Sequence, residues 1–171
     1  MPQFLLNHKQ IKQVKEQTVY YIELANLHLK LNLSPIEINF DLKGRTSGMF
    51  VVTPDLIRIR YNQIIFSKYF EDSLVNTVAH EVAHYVVYSI WGFKKVKPHG
   101  NEWKKVMALF GVKPDVTSNY DVKDLPLHRQ KQFKYTCGCM VHQLSTTRHN
   151  KVQKKKAVYK CRKCLQSLNV V

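Results

Sequence analysis

No acidic residue follows Asp124, and no cysteine precedes Cys137. No apolar run approaches the roughly 18 residues that read as a membrane span. The N-terminal stretch MPQFLLNHKQIKQVKEQ turns polar after Phe4-Leu5-Leu6, so it lacks the apolar core of a secretory signal. No internal repeat is present, and Lys154–Lys156 is too short to count as low complexity. These absences exclude a membrane-spanning or repeat protein and lead us to expect a soluble, cytoplasmic monomer with no membrane partner.

Hydrophobic residues make up 44% of the 171, with eight Phe, nine Tyr and two Trp. That supports an ordinary core and excludes a wholly disordered chain. One domain plus a small appendage is the expected organisation. The formal charge is +15, and its placement says more than its sum. Residues 126–171 hold 11 of the 27 basic residues and no acidic one. A block this one-sided predicts an anionic partner, most simply DNA, single- or double-stranded.

Residues three and four apart at Ile11, Val14, Thr18/Val19, Ile22 and Leu24/Ala25 predict an amphipathic helix within 4–31. Residues 36–42 alternate as a half-buried strand, and 49–52 with 56–61 read as a hairpin about Thr53-Pro54-Asp55. A long helix is expected from Phe70 to Trp91, capped by Asp72 or Ser73 and ended by Gly92. A short one is expected over Asn101–Phe110, then a loop and linker over 112–134. Beyond it lie turn-like and strand-like pieces punctuated by cysteines.

The long helix carries His80-Glu81-Val82-Ala83-His84. Val78, Ala79, Val82, Ala83, Val86, Val87 and Ile90 form an apolar back that suits docking on a sheet, leaving His80, Glu81 and His84 on the front with Tyr85 and Tyr88. Two histidines one turn apart can chelate one tetrahedral zinc. The carboxylate between them can act as general base on zinc-activated water. Composition alone produces such a match about once in eighty chains of this make-up. A third ligand is needed. The metzincin extension is excluded, because Val87 and Ile90 stand where its Gly and His would fall. Glu102 and His99 are the candidates, His99 being the better placed, in the loop before the short helix.

All four cysteines lie in the last 35 residues. Cys161-Arg-Lys-Cys164 has a zinc-knuckle spacing, and Cys137-Gly-Cys139 is tighter. A structural Cys₄ zinc site is the reading, with His142 or His149 as possible replacements for one cysteine. A closed metal site would supply the folding energy of so small a segment. Its basic face would carry Arg148, Lys151, Lys154, Lys155, Lys156, Lys160, Arg162 and Lys163 as phosphate-binding residues. Phe133, Tyr135 and Tyr159 lie among them, as base-stacking rings or as the segment's own packing.

His80-Glu81-x-x-His84, then His99-Gly100-x-x-Trp103, resembles the SprT-like family, to which the Spartan DNA–protein crosslink proteases belong. The resemblance extends to Phe40-Asp41-Leu42-x-Gly44-Arg45-Thr46-x-Gly48, to Ile57–Asn62, and to Cys137-Gly-Cys139, Arg148-His149-Asn150 and Tyr159-x-Cys161-x-x-Cys164. It implies His80, His84 and His99 as ligands of a catalytic zinc, Glu81 as general base, and Trp103 as a packing residue fixing the His99 loop. It implies an α+β fold: a zincin-like metalloprotease core with the metal-binding helix on a small β-sheet, and a C-terminal zinc ribbon. The domains expected are 1–125 and 126–171, with one catalytic and one structural zinc. The function expected is hydrolysis of peptide bonds in DNA-associated, even DNA-crosslinked, proteins. The alternative is a catalytically silent nucleic-acid-binding zinc protein with a regulatory role. Tyr85, Tyr88 and Arg45 are guesses for the oxyanion-stabilising group.

Overall fold

The computed structural model describes residues 4–92, 95–127 and 131–171. It has a mixed α+β architecture in two compact units divided after Leu127.

In the first unit, helix α1 (His8–Leu29) starts at a reciprocal cap: Gln10 N–H donates to Asn7 Oδ1 and Asn7 N–H to Gln10 Oε1. Its Val14, Tyr21, Ile22 and Ala25 enter the core. Strands β1 (Glu37–Asn39), β2 (Gly48–Val52) and β3 (Ile57–Tyr61) form a sheet of order β1-β3-β2. β1 runs parallel to β3 and β2 antiparallel to it, so β2 is an edge. The alternation over 36–42 overstates β1. Beyond Asn39 the regular ladder stops: the Gln63 side chain donates to Phe40 C=O, and Leu42 N–H returns to β3, at Tyr61 C=O.

The six-residue α2 (Gln63–Lys68), too short to show a period, follows Asn62. This fully buried amide accepts from Ile64 N–H and Ile65 N–H and donates to Gly44 and Thr46 C=O. It therefore caps α2 and holds the loop that leads into β2.

The long helix is interrupted. A single turn, α3 (Phe70–Asp72), passes into a π-helical turn (Ser73–Thr77) and then into α4 (Val78–Trp91). Asp72 and Ser73 lie within helical backbone and cap nothing by side chain. Gly92 ends α4 at positive φ, as its position predicts. Val78, Ala79, Val82, Ala83 and Val86 are fully buried against α1, the sheet and α5 (Asn101–Leu109).

The second unit pairs β4 (Gln132–Thr136) with β5 (Val141–Ser145) and β6 (Asn169–Val170), in the order β5-β4-β6. Helix α6 (Thr146–Gln153) follows β5. Its core is small: Tyr135, Cys137, Leu144, Cys161 and Leu168.

Candidate metal centre

The apolar back of α4 docks the helix with His80 and His84 one turn apart on the other side. His99 reaches them from a tight turn. Gly100 N–H donates to Lys97 C=O at 2.9 Å, Pro98 presets the second turn position, and His99 takes the third at φ 56°. A side chain in this left-handed conformation costs about 1–2 kcal/mol. The turn delivers the His99 ring to the other two. The Nε2–Nε2 distances are 3.2 Å for His80–His84, 3.0 Å for His84–His99 and 3.0 Å for His80–His99.

Trp103 forms a floor under all three rings. Its centroid is 4.8 Å from His80 and His99 and 5.8 Å from His84. Its buried Nε1–H donates to His80 C=O at 3.3 Å. Its role is wider than fixing the His99 loop. Glu102, the other candidate third ligand, is not among the converging groups.

Burial, aided by His99, holds the His80 imidazole down at about 4, against a backbone hydrogen bond at Asp115. Burial and the two neighbouring rings hold His84 at about 3, and burial lowers His99. Neutral rings are what a metal requires. Three nitrogens this close cannot all satisfy one another, and a tetrahedral zinc with bonds near 2.0–2.1 Å separates its nitrogens by about 3.3 Å. The donor set therefore fits a zinc-like dication.

Glu81 is on the front of α4 but not open to solvent, being 6% exposed. Edge strand β2 lies over it, and Phe50 N–H donates to Glu81 Oε2 at 2.7 Å. The pairing of Thr53 with Leu56 and of Ser47 with Asn62 turns the Phe50 N–H away from β3. This approach needs Gly48, where a Cβ would stand 2.7 Å from Glu81 Cγ and Oε1 and 2.8 Å from Thr77 Cγ2. Burial pushes the Glu81 carboxyl up to about 8, against the Phe50 N–H, which lowers it. A cation at the three nitrogens would favour its ionised form.

Gly48→Ala is expected to pry β2 from α4. The overpacking should cost about 1–3 kcal/mol, read as a lower urea midpoint, with faster hydrogen exchange at the Phe50 amide. An unchanged midpoint and exchange rate would show that this contact does not position Glu81.

Two cavities of ≈ 660 and ≈ 370 Å³ meet here, sharing Thr46, Gly48, His80, Glu81 and Val116 in their walls. Together they make a cleft across the histidines. Arg45 lines the larger cavity and Tyr88 the smaller. Tyr85 lines neither: it is buried, and its hydroxyl donates to Ser34 C=O. That removes it as an oxyanion candidate. Asn62, Gly48 and the Phe50 amide are positioning groups that the motif does not reveal. An asparagine directly after a strand, a helix-cap signal, was the available hint for the first.

In the second unit the four sulfurs lie within 4.8 Å of one another. Cys139–Cys161 is 3.8 Å, matching the roughly 3.8 Å edge of a tetrahedral zinc–thiolate site, and Cys137–Cys139, at 3.1 Å, is closer than that edge. Gly138, at φ 84°, lets the tight Cys-x-Cys pair turn both thiols to one side. Lys163 N–H donates to Cys161 Sγ. Burial opposes the Cys137 thiolate, but hydrogen bonds with Cys139 and His142 outweigh it and hold the thiol at about 5. His142 Nε2 lies 3.3 Å from Cys137 Sγ, at the edge of the cluster. His149 is elsewhere, stacked on Phe133 at 3.7 Å and bonded to the Tyr135 hydroxyl.

Arg148, Lys151, Lys154, Lys155, Lys156, Lys160, Arg162 and Lys163 are all exposed. Each aromatic ring among them has a neighbour within the unit, and one of the three is buried. Tyr135 is fully buried, Phe133 covers His149, and Tyr159 lies under the Arg148 guanidinium at 5.7 Å. Base stacking by Tyr135 is thereby excluded.

A sequence model of the SprT-like family matches residues 17–124, which include all three histidines and end before the cysteines. Protein SprT of Vibrio parahaemolyticus is 37% identical over 158 residues, covering 92% of this chain and 92% of that protein. Protein SprT of Pasteurella multocida is 32% identical over 164 residues, covering 95% and 94%. Protein SprT of Vibrio atlanticus is 34% identical over 149 residues, covering 86% and 85%. No solved structure matches.

Proposed function

The chain belongs to the SprT-like family, and from that premise we propose that it is a zinc metalloprotease acting on DNA-associated, including DNA-crosslinked, proteins in the cytoplasm. The observation that carries the reading is the convergence of three neutral imidazoles to 3.0–3.2 Å beside a buried glutamate, on the wall of an open cleft. In this reading the first unit is a zincin-like core and the second a zinc ribbon, with Cys137, Cys139, Cys161 and Cys164 holding a structural ion.

Zinc held by His80, His84 and His99 would supply a Lewis acid and a water of lowered pKa. Glu81 takes the proton of the attacking water and returns it to the leaving amine. The Phe50 N–H fixes Oε2, so Oε1 is the oxygen left to move the proton. β2 is an edge strand on the cleft wall; Glu81 takes its Phe50 N–H, so an extended substrate segment along it would pair with other backbone groups of the strand. Trp103 and the Lys97–Gly100 turn keep the three rings in place.

The basic ribbon recruits the enzyme to DNA. No carboxylate side chain lies in residues 128–171 to neutralise its cations. With Tyr135 buried and Phe133 and Tyr159 already paired with His149 and Arg148, the binding is chiefly to phosphates and is strongly salt-dependent. Changing Lys154, Lys155 and Lys156 to Glu is expected to weaken DNA binding and flatten the plot of log affinity against log salt by about 0.9 per lost phosphate contact on duplex DNA. It should also remove DNA stimulation of cleavage while DNA-independent cleavage persists. Fluorescence anisotropy over a salt series and a parallel cleavage assay test this. Unaltered affinity and stimulation would contradict recruitment through these lysines.

A further inference from the structure

The two halves of the cleft differ in chemistry. The larger cavity is walled by Arg45, Asp72, Asn76, Lys113, Asp115 and hydroxyl-bearing side chains. The smaller is walled by Phe50, Val87, Tyr88, Val96, Trp103 and Val116. Apart from the histidines and Glu81, its polar lining among the described residues is Thr46, Lys97 and the Tyr88 hydroxyl. At ≈ 370 Å³ it stands at the small end of ligand sites, which run from about 300 to 1,000 Å³, a size suited to one large side chain with its flanking backbone.

Its position identifies the occupant. The cavity lies between edge strand β2, the C-terminal half of α4 and the turn carrying His99, and it opens on His80, Glu81 and His84. Phe50 packs toward α4, with ring centroids 6.0 Å from Tyr85 and 5.7 Å from Tyr88. A strand laid beside β2 turns every second side chain to the same side. One side chain of a strand so laid, next to a peptide bond over Glu81, would face the apolar cavity.

We propose that this cavity is a specificity pocket that selects substrates with a leucine, methionine or phenylalanine side chain adjacent to the bond cut, with the polar half of the cleft taking the chain on the other side. The inference rests on the metalloprotease reading. Met49, which is 39% exposed, Val96 and Val116 are apolar lining residues that reach solvent. Val96 is half-buried on the loop before His99, and Val116 is 48% exposed.

The test has two readouts on the full-length, zinc-loaded chain. Cut sites in a random-sequence peptide mixture are mapped by mass spectrometry. Binding of a fluorescent Phe-containing peptide and its Ser counterpart is measured on the Glu81→Gln variant. The expected result is enrichment of Leu, Met or Phe at one fixed position beside the cut, with at least about 10-fold tighter binding of the Phe peptide. Both preferences should be lost in Val96→Glu and in Val116→Glu, two variants that guard against misfolding of either. Cleavage without apolar enrichment overturns the pocket and leaves the protease reading standing. Enrichment that survives both substitutions also overturns it. Preferential binding that the substitutions abolish, with no cleavage by wild type, supports the pocket and overturns the protease reading. Neither cleavage nor preferential binding overturns both.

Discussion

His84→Ala is expected, on the proposed two-zinc metalloprotease reading, to lower the zinc content from two ions to one and to eliminate hydrolysis. His84 Nε2 stands 3.2 and 3.0 Å from its two counterparts, and with it removed only His80 and His99 remain. The loss in affinity at that site should exceed about 100-fold, since disturbing a mere hydrogen-bond partner of a ligand costs 10–100-fold. Alanine is the best helix former, and the apolar back of α4 is untouched, so the helix survives. Competition with a chromophoric chelator, alongside circular dichroism, measures both. Two tightly held ions in a folded His84→Ala chain would show that the histidines are not a zinc site.

Cys161→Ser, or chelation of the zinc-loaded chain, is expected to unfold the second unit and leave the first intact. Among the described residues the second unit's buried core is five residues, and two of them are Cys137 and Cys161. So small a core cannot carry a fold, whereas a structural zinc contributes about 10–16 kcal/mol in zinc-finger peptides. Hydrogen exchange would show the loss as collapsed amide protection across β4 and β5, with α1 and α4 still protected, and DNA affinity should fall with it. Persistent protection in β4 and β5 would mean that side-chain packing alone holds this unit.

The helix that bears the motif was legible because burial of an apolar back leaves a 3.6-residue period. The π-helical turn was not: Ser73–Thr77 continues the helical pattern, and the extra residue in the turn changes no residue type. Spacing left Glu102 and His99 open as third ligand. The choice lies in a backbone turn, with His99 in a conformation usually given to glycine. Helix α6 was hidden because TTRHNKVQ buries no side chain fully and shows no apolar period. The burial of Glu81 depends on a strand 31 residues away and on the missing side chain of Gly48, neither of which a five-residue motif records. The basic block was legible as charge. That Tyr135 turns inward follows from the packing of β4 on Cys137, Leu144 and Cys161.

The central claim concerns Glu81, and its most direct test is cleavage of a DNA-bound protein by the zinc-loaded wild type and by Glu81→Gln, with and without single- and double-stranded DNA. Glutamine keeps the shape and an acceptor for the Phe50 N–H but cannot take a proton. General-base catalysis contributes about 10²–10⁴-fold, so cleavage by wild type, raised by DNA, should fall by at least that lower figure in the variant while zinc content and DNA affinity hold. Equal cleavage by both proteins, or none by either under any condition, would contradict the assigned role and leave a silent zinc protein that binds nucleic acid.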